Sequence, residues 1–363
     1  MSIFRKELTG LKEYVPGKPI EDVMKQYGLT SIVKLASNEN PLGPSKKAVE
    51  AIKREAENIH IYPDGAALEL REKLSKKHGV SMEQILIGSG GEQILKLIAH
   101  TLVNEGDEVI FGAPSFALYD IMSSHIGAKC ISLPLTEDFR HDLKAFEEHL
   151  NEKTKIVYIC NPNNPTGNIM PKAELLDFIS KLPESVVLML DEAYFEYAIH
   201  DPEYLDGLEI LKDRANTIIL RTFSKVAGLA GLRIGYCFSS TEIIREMSKI
   251  KGVFNANRIG QMAAIASLDD DEHISNTIAL NKRSLDMMKE YFRNHNMKYV
   301  ESHANFIFVD INQSSREAYI ELQKRGVIIR PGFLWGFENY IRVSSGTIEQ
   351  TEIFIKALDD IVK

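Results

Sequence analysis

KIVYIC at Lys155–Cys160 runs straight into NPNNPTG at Asn161–Gly167. A near-continuous apolar run of this length is the pattern of a strand buried on both faces, as in a parallel sheet covered by helices. The double-proline turn then stops it abruptly. Similar runs recur at Gln84–Ile87, Glu108–Phe111, Val186–Leu190, Thr217–Leu220 and Ile234–Phe238. Amphipathic stretches lie between several of them; GEQILKLIAHTLV at Gly91–Val103, for example, repeats its apolar residues at about the helical period. From about residue 45 to 250 the chain therefore reads as an α/β layered architecture.

The tail differs. Arg283–Asn294 and Ile348–Val362 read as helices, and Phe306–Val309, Gly326–Ile329 and Tyr340–Ser344 as strands, which together suggest a smaller α+β domain. The first 40 residues hold little core-forming pattern and are expected to pack with that tail. The resulting division is a large domain over 43–255 and a small domain built from 1–42 and 256–363.

With 363 residues there is room for two domains at roughly 150 residues each. Lys plus Arg is 43 and Asp plus Glu is 51, a net charge of −8 that argues against a nucleic-acid partner, because phosphate binding needs a basic footprint. Hydrophobic residues at 44% and charged residues at 26% are ordinary for a soluble globular chain and exclude disordered and fibrous classes. Cys130, Cys160 and Cys237 show neither disulfide nor zinc spacing, and no HExxH pair occurs. Reduced thiols, no metal, no apolar leader and no 18-residue apolar span give the expectation of a cytoplasmic protein without a membrane partner. The acidic Asp269-Asp270-Asp271-Glu272 reads as a solvated helix terminus.

Ligands of open parallel sheets bind beyond the carboxyl ends of the strands, so the turns there carry the functional question. Gly88-Ser89-Gly90-Gly91-Glu92 opens a helix, where backbone N–H groups can hold an anion; by itself it reads equally as a flexible turn. NPNNPTG alone is a rigid turn. Asp191-Glu192-Ala193-Tyr194 puts a carboxylate at a strand end, where desolvation calls for a cation. RTFSK at Arg221–Lys225, with Arg233 eight residues beyond it, offers a lysine among hydroxyls; alone, Lys225 is a surface lysine. Taken together, a phosphate cradle, a strand-end acid, a nearby Tyr and Asn, and this lysine are what pyridoxal phosphate requires: an amine for a Schiff base, an acid for the pyridinium nitrogen, and phosphate anchors. Cys160 fits a small buried filler. Trp335, the only tryptophan, reads equally as a wall of the substrate mouth or a loop anchor.

NPNNPTG, DEAY at Asp191–Tyr194 and SKVAGLAGLRIGY at Ser224–Tyr236, in this order and spacing, resemble the class I/II, fold-type I pyridoxal-phosphate aminotransferases. YVPGKPIEDV from Tyr14, KLASNENPLGPS at Lys34–Ser45, YPDG from Tyr62, IIRPG and IRVSSGT extend the likeness along the chain and bring it nearest to the histidinol-phosphate-using branch. That resemblance implies a mainly parallel seven-stranded sheet flanked by helices, plus a smaller α+β domain. It also implies a ping-pong exchange of nitrogen between histidinol phosphate with 2-oxoglutarate and imidazole acetol phosphate with glutamate, in histidine biosynthesis.

Carried over residue by residue, Lys225 forms the Schiff base and moves the proton, Asp191 pairs with the pyridine nitrogen, and Tyr194 and Asn164 bond the phenolic oxygen. Phe116 stacks on the ring; Gly91, Glu92, Thr222, Ser224 and Arg233 hold the cofactor phosphate. Tyr62 reaches the partner's site, which implies a homodimer. Arg342, with Asn164 beside it, takes the substrate carboxylate, and Arg330 and Tyr14 face the substrate phosphate. One departure stands out: Gly91-Glu92-Gln93 occupies the place of an acidic pair that is frequent in the family. The readings that compete are an aromatic amino-acid (Phe/Tyr) aminotransferase, a threonine-phosphate-type decarboxylase and a cofactor-binding regulator. A nicotinamide dehydrogenase, suggested by the glycine turn alone, lacks its third glycine at Gln93.

Overall fold

A computed structural model describes residues 3–9, 11 and 17–362. Its strands are β1 Val33–Lys34, β2 Ile85–Gly88, β3 Glu108–Ala113, β4 Lys129–Pro134, β5 Thr154–Cys160, β6 Val187–Asp191, β7 Thr217–Thr222, β8 Gly235–Ser239, β9 Phe306–Asp310, β10 Val327–Ile328, β11 Arg330–Pro331 and β12 Tyr340–Ser344. Seven of them form the expected sheet in the order β2-β8-β7-β6-β5-β3-β4. All pairings are parallel except those of β8, which runs antiparallel to both β2 and β7. β5, β6 and β7 are buried throughout their length but for Lys155, as their apolar runs require.

Sequence patterning misses β4, because this edge strand is largely solvent-facing and carries no continuous apolar run. Gly326–Ile329 and its surroundings divide instead into β10, which pairs with β1, and β11, which joins β12 and β9. The parallel β1–β10 pair is what docks the N-terminal segment on the tail. Asp270 caps the long helix Asp271–Asn294, accepting the N–H of His273, so the acidic run is a helix start.

Two cores result. One lies on the two faces of the seven-stranded sheet; the other gathers Leu35, Met288, Phe292, Val309, Val343 and Phe354 around the small sheet. Ala256, Ala263, Ala264 and Ile265 pack with Ala48, Leu70 and Phe238 under the large sheet. By core placement, residues 256–268 thus go with the large sheet and not, as the sequence reading grouped them, with the tail. Those residues are mostly small and apolar, which fits either core; only the tertiary packing assigns them.

Candidate active site

The register Cys160↔Asp191↔Leu220 sets the carboxyl ends of β5, β6 and β7 side by side, and Thr222↔Gly235↔Gly88 adds the end of β2 on the same edge. Above this edge lies a cavity of ≈ 1260 Å³, with room for a cofactor and a substrate together. Gly91, Glu92, Phe116, Asn164, Asp191, Tyr194, Thr222, Ser224, Lys225, Arg233, Arg330 and Arg342 all line it. Twelve positions from six separate sequence regions meet in one volume.

Asp191 is 3% exposed. Its carboxylate accepts from the Tyr119 hydroxyl at 2.8 Å and from the Ala193 N–H at 3.0 Å. Burial raises its proton affinity; those two bonds and the charge of Lys225 pull the other way. The Lys225 ammonium nitrogen donates to the Ser37 carbonyl at 3.2 Å and stands 5.5 Å from the centre of the Tyr194 ring. Burial first, then the guanidinium charges of Arg342 and Arg233, depress its pKa to about 8, while Glu39 and Asp191 act in the opposite sense. An amine that is half neutral near pH 8 is a nucleophile and a base under physiological conditions.

One end of the cavity is built from small residues. Gly235 favours this approach, since a Cβ at that position would sit 3.0 Å from the Gly90 carbonyl carbon and 3.1 Å from the Gly91 nitrogen. The helix Gly90–Leu102 can therefore start against the sheet edge with its first N–H groups facing the cavity. Thr222 and Ser224 bond each other at 3.0 Å, and Arg233 completes the cradle from a left-handed backbone position at φ 51°. Gln93, the departure from the family pattern, braces this turn: its oxygen accepts from the Ser89 N–H and from Asn255 Nδ2, both at 2.7 Å.

NPNNPTG is a bracket. Asn161 Oδ1 accepts from the Met170 N–H, and Asn163 holds Ser115, Pro114 and Thr166. Asn164, the next residue, is left facing the cavity, where its oxygen accepts from Arg342 Nη1. Arg342 Nη2 donates to the Ala36 carbonyl at 2.6 Å, and its guanidinium lies 5.5 Å from the Trp335 ring, which places that tryptophan in the cavity wall.

Tyr62 lies away from this chain's cavity. It is 75% exposed and stacked on Phe254 at 4.5 Å; Ile59, Ile61, Leu68 and Val253 are also exposed. Tyr14 falls outside the described residues. Sequence reasoning did not pick out Tyr119 or Asn38, whose Nδ2 donates to the Tyr194 hydroxyl at 2.9 Å. Tyr119 stands three residues after Phe116, one helical turn, a spacing that was a usable signal; Asn38 had none.

The residues fit pyridoxal phosphate. A buried carboxylate that faces a cavity calls for a cation, which a protonated pyridine nitrogen is; the lysine is activated; and the glycine turn, two hydroxyls and an arginine line one part of the cavity. The family profile "Aminotransferase class I and II" matches residues 30–358, and the chain belongs to that family. It is similar to the histidinol-phosphate aminotransferase of Caldicellulosiruptor saccharolyticus, 43% identical over 99% of this chain and 100% of the relative. The enzyme of that name from Moorella thermoacetica is 44% identical over 99% and 92%. A crystal structure of the Sinorhizobium meliloti histidinol-phosphate aminotransferase, in complex with pyridoxal-5'-phosphate, matches with a TM-score of 0.91 at 28% identity, covering 100% of this chain and 98% of that one.

Proposed function

We infer that this protein is a pyridoxal-phosphate-dependent histidinol-phosphate aminotransferase of histidine biosynthesis. The observation that carries the reading is the meeting of Lys225 and buried Asp191 at one cavity, in a chain alike along its whole length to enzymes of that name. When bound, the cofactor supplies an electrophilic carbon and a conjugated ring that takes up the electron pair left as a Cα proton departs. The chain supplies the rest. Lys225 Nζ, once neutral, is the base that would take the proton from the substrate Cα and the acid that would return it to the cofactor carbon on the other side of the nitrogen between them. Asp191, oriented by Tyr119 and Ala193, keeps the pyridine nitrogen protonated. Arg342 would hold the substrate carboxylate and so fix the orientation of its Cα in the cavity.

Phe116 packs against the ring, Tyr194 and Asn164 bond the phenolic oxygen, and Gly91, Glu92, Thr222, Ser224 and Arg233 hold the cofactor phosphate. Arg330, with Tyr14, takes the substrate phosphate. The enzyme works as a cytoplasmic homodimer in which Tyr62 enters the partner's site; its exposed stack on Phe254 supports this. No helix among the described residues is long and apolar enough to cross a membrane. The chain divides into a large cofactor lobe and a small lobe carrying Arg342.

The test is a half-reaction by stopped flow. The cofactor-loaded protein is mixed separately with histidinol phosphate, phenylalanine and threonine phosphate while the visible cofactor band is followed. Fastest bleaching with histidinol phosphate is the expected result. Faster bleaching with phenylalanine moves the activity to aromatic amino acids, and release of carbon dioxide from threonine phosphate moves it to decarboxylation.

A further inference from the structure

A buried polar chain runs from β12, the strand of Arg342, to the cavity: Ser344, Asn38, Tyr194. Asn38 is 2% exposed and takes a left-handed backbone conformation at φ 56°, with its carbonyl held by Asn305 Nδ2 at 3.0 Å. Ser344 Oγ accepts the Asn38 backbone N–H at 2.9 Å and donates its own proton to Asn38 Oδ1 at 2.8 Å. The amide oxygen is thereby engaged, and the amide nitrogen is turned toward the Tyr194 hydroxyl at 2.9 Å. An amide nitrogen only donates. The Tyr194 oxygen is therefore the acceptor in that bond, and its own O–H is aimed elsewhere, into the cavity. Reversing the amide sets two donors on the Ser344 oxygen and leaves the Ser344 proton without an acceptor among the described contacts.

We propose that Asn38, pinned by Ser344, is a positioning residue that fixes the direction of the Tyr194 hydroxyl and makes Tyr194 a proton donor to the ligand oxygen it faces. The inference rests on the functional reading above, in which that oxygen is the phenolic oxygen of pyridoxal phosphate. Arg342 acts in parallel on Asn164: by taking its Oδ1 it leaves the amide nitrogen as the group that can serve the ligand. Two donors aimed at one point suit an acceptor-only, negatively charged oxygen. Each bond donated to such an oxygen stabilises its charge and weakens its hold on a proton shared with the nitrogen linked to Lys225. Losing a donor therefore raises the pH at which that nitrogen gives up its proton.

The experiment is a pH titration of the visible absorption band of the purified holoenzyme. It compares the unmodified protein with Asn38→Asp, Asn38→Ala, Ser344→Ala, Tyr194→Phe and the double variant Asn38→Asp/Tyr194→Phe. An aspartate at position 38 has the shape of asparagine and offers only acceptors, so it turns the Tyr194 proton away from the cavity. Asn38→Asp is expected to raise the midpoint by about one pH unit, the shift that losing one hydrogen bond to a charged oxygen brings. Asn38→Ala and Ser344→Ala raise it less, because the freed hydroxyl can still donate into the cavity. A merely structural role predicts the reverse ranking, with the isosteric aspartate the mildest change.

The double variant separates the hydroxyl from the added charge. Asp191, Arg342, Arg233 and Glu39 are the charged neighbours of Lys225, and they are unaltered in every variant. The charge of an aspartate at position 38 acts with or without the Tyr194 hydroxyl, so most of the shift must vanish in the Tyr194→Phe background. An unchanged midpoint in Asn38→Asp, or an equal rise in both backgrounds, overturns the proposal. If Asn38→Asp does not fold, Ser344→Ala carries the test, and no rise there overturns it. Absence of any visible band in the unmodified protein overturns the cofactor reading and this inference with it; a normal band that titrates indifferently to Asn38 overturns this inference alone.

Discussion

Lys225 and Asp191 differ from ordinary members of their residue types because of where the strands end. Lys225 has its pKa lowered to about 8, from an ordinary 10.5, by burial and two guanidinium groups. Since the neutral amine is the reactive form, the rate at which cofactor-free protein captures pyridoxal phosphate should rise with pH, with a midpoint near pH 8. A titration midpoint near 10 counts against the site. Asp191 depends on Tyr119 for its orientation. Tyr119→Phe keeps the ring stacked on Tyr158 at 5.0 Å and removes only the hydroxyl. The loss of about 1.5 kcal/mol from one bond to a charged group should lower kcat about tenfold, with the melting temperature falling by no more than a few degrees. A matching loss of stability without a loss of kcat makes Tyr119 a packing residue. At this scale the sequence showed which groups were present, and their spacing in the three motifs showed which belonged together. Tyr119 and Asn38 stayed hidden because a tyrosine in a helix and an asparagine in a loop each have commoner uses.

Among the elements, β7 shows how a site is supported from its far side. Arg221, one residue before Thr222, is 1% exposed and turns away from the cavity. It donates to Glu192 at 2.8 Å and to Asp206 at 2.6 Å, with its guanidinium 3.7 Å over the Phe195 ring. This ties the end of β7, three residues before Lys225, to the turn that follows β6, the strand that ends at Asp191. Arg221→Ala leaves a buried carboxylate without its cation and should cost about 3–5 kcal/mol in denaturant unfolding. The cost should be smaller at pH 5 than at pH 8, because burial already raises the proton affinity of Glu192 and acid neutralises it. A pH-independent loss points to packing alone. The DEAY motif thus mixes a functional acid with a structural one, and alternation along the chain at the strand end decides which side each faces.

For the whole molecule, two tests address assembly and acid stability. Tyr62 stacks on Phe254, and both rings, with the neighbouring Val253, are exposed. On the proposed dimer, Phe254→Asp should halve the mass seen in sedimentation and depress turnover, because Tyr62 would then lack its partner site. Unchanged mass removes these residues from the interface. His141 is buried, donates to the Cys160 carbonyl at 3.1 Å, and burial lowers its pKa to about 4 from 6.5. The folded state therefore holds it neutral. Its contribution is complete above pH 6.5 and is lost as pH falls toward 4, where the unfolded chain binds a proton that the native one refuses. Against His141→Gln, the unmodified protein should lose up to about 3 kcal/mol more stability between pH 7 and pH 4. A gap that stays constant over that range excludes His141 as an acid-sensitive element.

By itself the sequence determined the α/β class and the positions of six strands of the large sheet, and it marked Lys225 and Asp191 as the lysine and the acid of the candidate site. Those are legible because buried strands need unbroken apolar runs and because the three motifs fall just past strand ends. It did not determine β4, whose edge position removes the apolar signal, nor the side of the molecule to which residues 256–268 belong. Nor did it reveal the roles of Tyr119, Asn38 and Gln93, which are hydrogen-bond assignments between residues up to 306 positions apart. Such contacts leave no local periodicity; they exist only once the sheet order has brought strand ends and the small lobe to one cavity, and so the tertiary structure alone decided them.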